Sequence, residues 1–255
     1  MAQYNLKLAN SPFSAITSPT SWYKTRDGLK TQMNKRWTEY KDQISNAATL
    51  SNIPQLVIFS FMMIESGGNT EIANAVESTP GLMQVNKSYI YANIQAEKDS
   101  NRMTAEEEAF LNEYGLYLTK SGDKYLLTGD PITKVTSGGI TRRVIAKSTM
   151  IKTKLNLYIG ALLLGQLFDK ISEKMGNVDM SIPDNARKLF ALIVVNYNAG
   201  STAFSGYEKK GILNLSYTEI SSASYVPSTT RTYIKKLIGT NGAMDVGLND
   251  LGINY

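Results

Sequence analysis

The sequence predicts a mainly α-helical protein with a small β-hairpin-containing insertion. Three observations carry this. Apolar residues recur at helical spacing in several long stretches, a nearly all-apolar run ends in a glycine pair, and one mid-chain segment switches to a strand–turn–strand pattern.

From about Lys24 to Ala48, Leu29, Met33, Trp37, Tyr40 and Ile44 recur at spacings of three and four, with charges opposite, as in an amphipathic surface helix. A second helix is expected from about Ser51, with Pro54 in its first turn, where a missing N–H does little harm. It runs through Leu56, Ile58, Phe59, Phe61 and Met62 and reads as buried. Gly67 and Gly68 end it, as a left-handed C-cap would. Residues 69–90 read as a structured loop leading into a short helix, and 97–113 as acidic and helical. Leu116–Leu118 and Tyr125–Leu127 flank Ser121-Gly122-Asp123, a hairpin signal. Residues 128–145 are rich in Gly and Thr. Helices return at about 150–175, 183–197 and 228–238. The Gly- and Asn-rich tail is expected to be mobile. The resulting division is a lead-in and amphipathic helix over 1–50, a principal domain over 51–240 with an insertion at about 91–148, and a flexible tail over 241–255.

Composition removes many chemistries. The 255 residues include no Cys and no His. Disulfides, thiol nucleophiles and thiolate metal sites are excluded, as are Ser-His-Asp triads and His-based zinc sites. No phosphate-loop or dinucleotide glycine fingerprint is present. Any proton chemistry falls to Asp, Glu, Lys, Tyr, water or a bound cofactor. No metal or organic cofactor is implied. No apolar run reaches the roughly 18 residues of a membrane span. A net charge of +5 suits loose attraction to anionic polymers. No basic block reads as a nucleic-acid arm, so nucleic acid is not an expected partner. The first 21 residues lack the basic start and apolar stretch of a secretory signal, so export by another route is expected.

Glu65 closes the apolar run Ile58–Ile64. Burial there and the negative end of a helix both disfavour the charged carboxylate. A glycosidase general acid requires such a carboxyl, still protonated near neutral pH. Read alone, Glu65 fits better as a helix-ending Glu turned to solvent, where Glu usually sits.

Its surroundings point the other way. Glu65-Ser66-Gly67-Gly68-Asn69 is followed by Ala75-Val76 and by Gly81-Leu82-Met83-Gln84. Then come Asn156 with Gly160, Asn196-Tyr197-Asn198-Ala199-Gly200, and Thr230-Arg231-Thr232-Tyr233-Ile234. The set resembles the soluble lytic transglycosylase family, which shares the goose-type lysozyme fold. That family shows an E-S pair, a G-L-M-Q turn, an A-Y-N-A-G block and an E-T-x-x-Y-V segment in this order. Glu65 and Gln84 stand 19 positions apart, close to the family's spacing. The resemblance covers roughly residues 50–90 and 150–240. The sequence departs from the family where Val85 leads into Asn86-Lys87 instead of Met-Pro, where Glu77 precedes Ser78 in place of a loop serine, where Thr229 replaces a Glu, and where the Gln84–Asn156 stretch is longer.

The resemblance implies a lysozyme-like catalytic domain that cleaves the bond from N-acetylmuramic acid to N-acetylglucosamine in peptidoglycan. Glu65 would be the sole acid/base, and the product a 1,6-anhydro sugar. It implies substrate contacts for Ser66, Ser78, Met83, Gln84, Tyr197, Asn198 and Tyr233, with Tyr197 and Tyr233 packing on the sugar or steadying Glu65. Structural roles stay open: Asn198 as a helix cap, Gln84 as a partner for backbone groups. A goose-type muramidase would need a second carboxylate, with Glu71 and Glu77 in the right loop. A catalytically silent glycan-binding or structural virion protein is the alternative outside enzymes. The expected partners are the glycan strand and other phage tail or virion proteins, and the expected setting is a phage virion or the host periplasm and wall. Arg142 and Arg143 are candidates to meet muropeptide carboxylates, or a solvated basic pair.

Overall fold

The computed structural model describes residues 25–75, 78–176, 178–179 and 181–253. The lead-in expected over residues 1–22, together with Val76 and Glu77, lies outside them. Among the described residues there are twelve α-helices and two separate two-stranded antiparallel sheets, so the mainly α class with a β insertion holds. No described helix is long and apolar enough to cross a membrane. The chain divides into two compact units.

The first unit takes Asp42–Asn52 and Glu65–Leu163. It holds the end of α1 (Arg26–Ser51), the last residues of α2 (Gln55–Ser66), α3 (Thr70–Ala75), α4 (Lys87–Asp99), α5 (Ala105–Asn112), all four strands, α6 (Lys147–Met150) and the start of α7 (Thr153–Met175). The expected hairpin is present: β1 (Tyr117–Ser121) pairs with β2 (Lys124–Thr128), with Gly122 at φ 64 in the turn. A second hairpin was not expected. β3 (Ile132–Ser137) pairs with β4 (Ile140–Ile145) around Gly138-Gly139. Both glycines have positive φ, as a two-residue turn matching the strand twist requires. Gly129, between the hairpins, is needed for space, since a Cβ there would lie 1.9 Å from the Gly115 carbonyl oxygen.

α5 opens on a capping box. Thr104 accepts from the Glu107 N–H while the Glu107 carboxylate accepts from the Thr104 N–H. The other Glu107 oxygen accepts from the Tyr158 hydroxyl at 3.2 Å, tying the insertion to α7. Burial pushes the Glu107 carboxyl above the usual range, against these hydrogen bonds. A carboxyl raised in the folded state makes its full contribution to stability below its unfolded pKa of about 4.3 and loses it as pH rises through the folded value. Glu107→Gln keeps an acceptor for the cap and removes the buried charge. Thermal melts at pH 4 to 8 are expected to show the parent losing stability relative to the variant as pH rises. Parallel curves would contradict the assignment.

The second unit takes residues 25–41, Ile53–Ile64 and 164–253. Leu29, Met33 and Tyr40 are buried, as the helical stripe predicts. Ser51 closes α1 rather than opening α2. The break follows at Asn52, which adopts a left-handed φ of 57°, and the Pro54 carbonyl then receives the first N–H groups of α2. α8 (Pro183–Ala199) and α11 (Ser228–Ile238) stand where expected. Between them lie α9 (Ser201–Glu208) and α10 (Tyr217–Ile220), the latter opened by a Ser216–Glu219 capping box.

The flexible tail is corrected. α12 (Ala243–Asn249) buries Ala243, Met244 and Val246, and Ile253 beyond it is also buried. Gly247 permits close packing, since a Cβ there would lie 2.5 Å from Leu56 Cδ1. Arg26 at the start of α1 binds Asp245 at 2.6 Å, Asp250 at 2.8 Å and the Asn241 side-chain oxygen at 2.8 Å. Burial raises the Asp245 carboxyl, but hydrogen bonds from Arg26, the Asn241 N–H and Asn249 outweigh it and leave the group below its ordinary value. Glycine and asparagine here serve packing and hydrogen bonding instead of mobility.

Candidate active site

α2 is the element that carries Glu65. Leu56, Val57, Ile58, Phe59, Ser60, Phe61 and Met62 are fully buried. At the C-terminal end the helix emerges, with Ile64 and Glu65 half-buried and Ser66 buried. Gly67 and Gly68 stop it at φ values of 62° and 65°. A Cβ on Gly67 would meet nothing within 4 Å, so this glycine is there for backbone conformation rather than for room. The Ser66 hydroxyl accepts from the Gly68 N–H at 3.2 Å and the Ser66 carbonyl from the Asn69 N–H at 3.0 Å. Ser66 thus fixes the turn that follows Glu65.

The Gly81–Gln84 turn is seated on α7 within the same unit. Asn156, fully buried, accepts from the Met83 N–H at 2.8 Å and donates to the Pro80 carbonyl at 3.1 Å. One turn along α7, Gly160 makes room for Met83, since a Cβ there would lie 2.5 Å from Met83 Cγ. Gly81 is required twice over. Its φ is 93°, and a Cβ would lie 2.1 Å from Asn156 Nδ2. Gln84, half-buried with a left-handed φ of 47°, donates to the Ala73 carbonyl at 3.0 Å and the Gly81 carbonyl at 2.8 Å, and the Thr79 hydroxyl reaches its Oε1 at 3.4 Å. Its amide nitrogen therefore serves backbone carbonyls, the structural role left open by the sequence. Ser78 is exposed, and its carbonyl accepts from the Lys87 N–H.

In the second unit the other two motifs meet. Asn198 accepts from the Thr230 hydroxyl at 2.5 Å, joining the end of α8 to α11. Tyr197 packs edge-on against Phe61, ring centroids 5.2 Å apart, and Tyr233 packs on the same ring at 5.8 Å. Both tyrosines therefore pack on α2 through the same buried ring.

Asn156, Gly160, Phe61 and Thr230 organise these contacts, and none was singled out for a role. A sequence signal existed for Asn156, a polar residue between Leu155 and Leu157 in an apolar helix. Glu71 is exposed, and its N–H is taken by the Asn69 side chain. Among the described residues no group of three or more carboxylates is placed to hold a metal ion. No family model, curated protein or solved structure matches the chain.

Proposed function

We propose that the chain is a peptidoglycan lytic transglycosylase with a goose-type lysozyme-like catalytic domain. The observation that carries this reading is the pairing of motifs far apart in sequence. Within one unit the Gly81–Gln84 turn is locked onto Asn156 and Gly160. Within the other, Asn198 of one motif accepts from Thr230 of the next, and Tyr197 and Tyr233 pack on the same Phe61 ring.

Glu65, at the point where the buried helix emerges, protonates the glycosidic oxygen as the C1–O bond breaks, and the N-acetylglucosamine leaves with that proton. The resulting carboxylate takes the proton of the muramic acid C6 hydroxyl while that oxygen bonds to C1. The acid is regenerated, and the net reaction forms one anhydro ring without water. A single carboxyl suffices because the nucleophile belongs to the substrate, whereas a hydrolase needs a second group to activate water or to attack. Ser66, Gly67 and Gly68 fix where Glu65 is presented. Gln84 holds the neighbouring turn, and its Oε1 is the atom free of strong bonds to face sugar hydroxyls.

The reading is tested by incubating the protein with purified cell wall. Release of soluble muropeptides is expected, and an intact wall after prolonged incubation with folded protein would count against it.

A further inference from the structure

The chain's net charge is concentrated in one place. Between Gly129 and Lys154 stand Lys134, Arg142, Arg143, Lys147, Lys152 and Lys154 against Asp130 alone. That surplus of five equals the net charge of the whole protein, +5, so the remaining residues sum to zero. Lys134, Arg142, Arg143, Lys152 and Lys154 are exposed. None of these five takes part in an ion pair among the described residues.

The β3–β4 register arranges these charges. Arg142 and Arg143 do not act as a pair, because consecutive strand residues point to opposite faces. Arg142 lies opposite Val135 on one face, and Arg143 lies opposite Lys134 on the other. Directly opposed residues share a face with Cβ atoms roughly 5 Å apart, where like charges destabilise the pairing. The hairpin therefore carries a built-in repulsion that an anion lying across Lys134 and Arg143 would relieve. The same face presents the hydroxyls of Thr136 and Thr141, opposed in register and 2.8 Å apart. Arg143 is partly held in place, with Nη1 3.5 Å from the Tyr91 hydroxyl of α4, which itself donates to the Leu127 carbonyl at 3.0 Å. Two directly opposed cations and two adjacent hydroxyls on one face offer a site for an oxyanion.

We infer that the Lys134–Arg143 face of the β3–β4 hairpin binds the free carboxylates of the peptide stems on the wall polymer. This rests on the proposed function, since peptide carboxylates are the anions that substrate carries beside its glycan. The hairpin acts as a second point of attachment, and the protein is retained on peptide-bearing strands independently of cleavage.

The test compares Lys134→Gln/Arg143→Gln with its parent, both in a Glu65→Gln background so that the wall is not consumed. Co-sedimentation with purified wall is measured at low and high salt. The substitutions remove repulsion, so the variant should melt at the parent's temperature or above it. Its binding to intact wall should be about tenfold weaker at low salt, and the difference should shrink at high salt as exposed charges are screened. On wall whose stem carboxylates have been converted to amides with carbodiimide and ammonia, variant and parent should bind alike. Parent-like binding of the variant to intact wall would overturn the inference. So would an equal loss on the amidated wall, or a loss seen on double-stranded DNA but not on wall. The two readings fail separately. A wild-type protein that cleaves wall while the variant binds normally refutes only the hairpin. Charge-dependent wall binding by a protein that cleaves nothing refutes only the transglycosylase.

Discussion

Glu65→Gln is expected to leave the fold intact and to remove nearly all wall-cleaving activity. The substitution is nearly isosteric and falls where α2 emerges from its buried run, so packing around Phe61 and Met62 is untouched. What is lost is the transferable proton. General acid–base groups contribute on the order of 10²–10⁴-fold, and here one group serves both steps. Glu65→Asp keeps the proton but draws it back by one methylene. A displacement of about 1 Å can cost roughly 10²-fold, so this variant should be impaired as well. Turnover on purified wall, with melting temperatures to show that the variants are folded, measures both. A folded Glu65→Gln protein keeping more than about a tenth of parental turnover would remove Glu65 from the chemistry.

Asn156→Ala is expected to have the largest effect on stability. It leaves the Met83 N–H and the Pro80 carbonyl, both against α7, without their partner. Each buried polar group left unsatisfied costs about 1–3 kcal/mol, so the pair costs roughly 2–6 kcal/mol. In a chain of this size that lowers the melting temperature by roughly 4–24 °C. Activity should fall further than stability alone explains, because the Gly81–Gln84 turn loses its seat. Asn156→Asp retains the acceptor for Met83 but turns a carboxylate toward the Pro80 carbonyl, and should also be destabilised. Calorimetry with assays well below the melting transition separates the two effects. A melting temperature unchanged in Asn156→Ala would show that the turn does not depend on this clamp.

The long helices were legible because burial imposes a period. Leu29, Met33, Tyr40 and Ile44 mark the buried face of α1, and the unbroken apolar run of α2 marks a helix buried all round. The first hairpin was legible from Gly122-Asp123. The second was not, because Thr133, Lys134, Val135 and Thr136 are all exposed and no alternation of apolar and polar residues betrays the strand. Its one signal was Gly138-Gly139. The Ser216–Glu219 box opening α10 was present in the sequence as S-x-x-E but precedes a helix too short to show a period. α12 was hidden by composition, since glycines that allow close packing look the same in sequence as glycines that confer mobility. In the candidate site, Glu65 and the glycine stop were readable from local pattern. The role of Gln84 was not, because its partners are carbonyls at Ala73 and Gly81 that come within reach only once the turn has formed. The seat formed by Asn156 and Gly160 joins positions more than 70 residues apart and exists only in three dimensions.

In the proposed mechanism, one carboxyl and the substrate's own hydroxyl complete the reaction. Mass spectrometry of the muropeptides released from purified wall tests it most directly. The mechanism predicts products ending in 1,6-anhydro-muramic acid, one water lighter than those of a hydrolase and resistant to borohydride reduction. Reducible muramic acid ends as the main product would contradict it and would require a second carboxylate to activate water, with Glu71 and Glu77 the residues to substitute next.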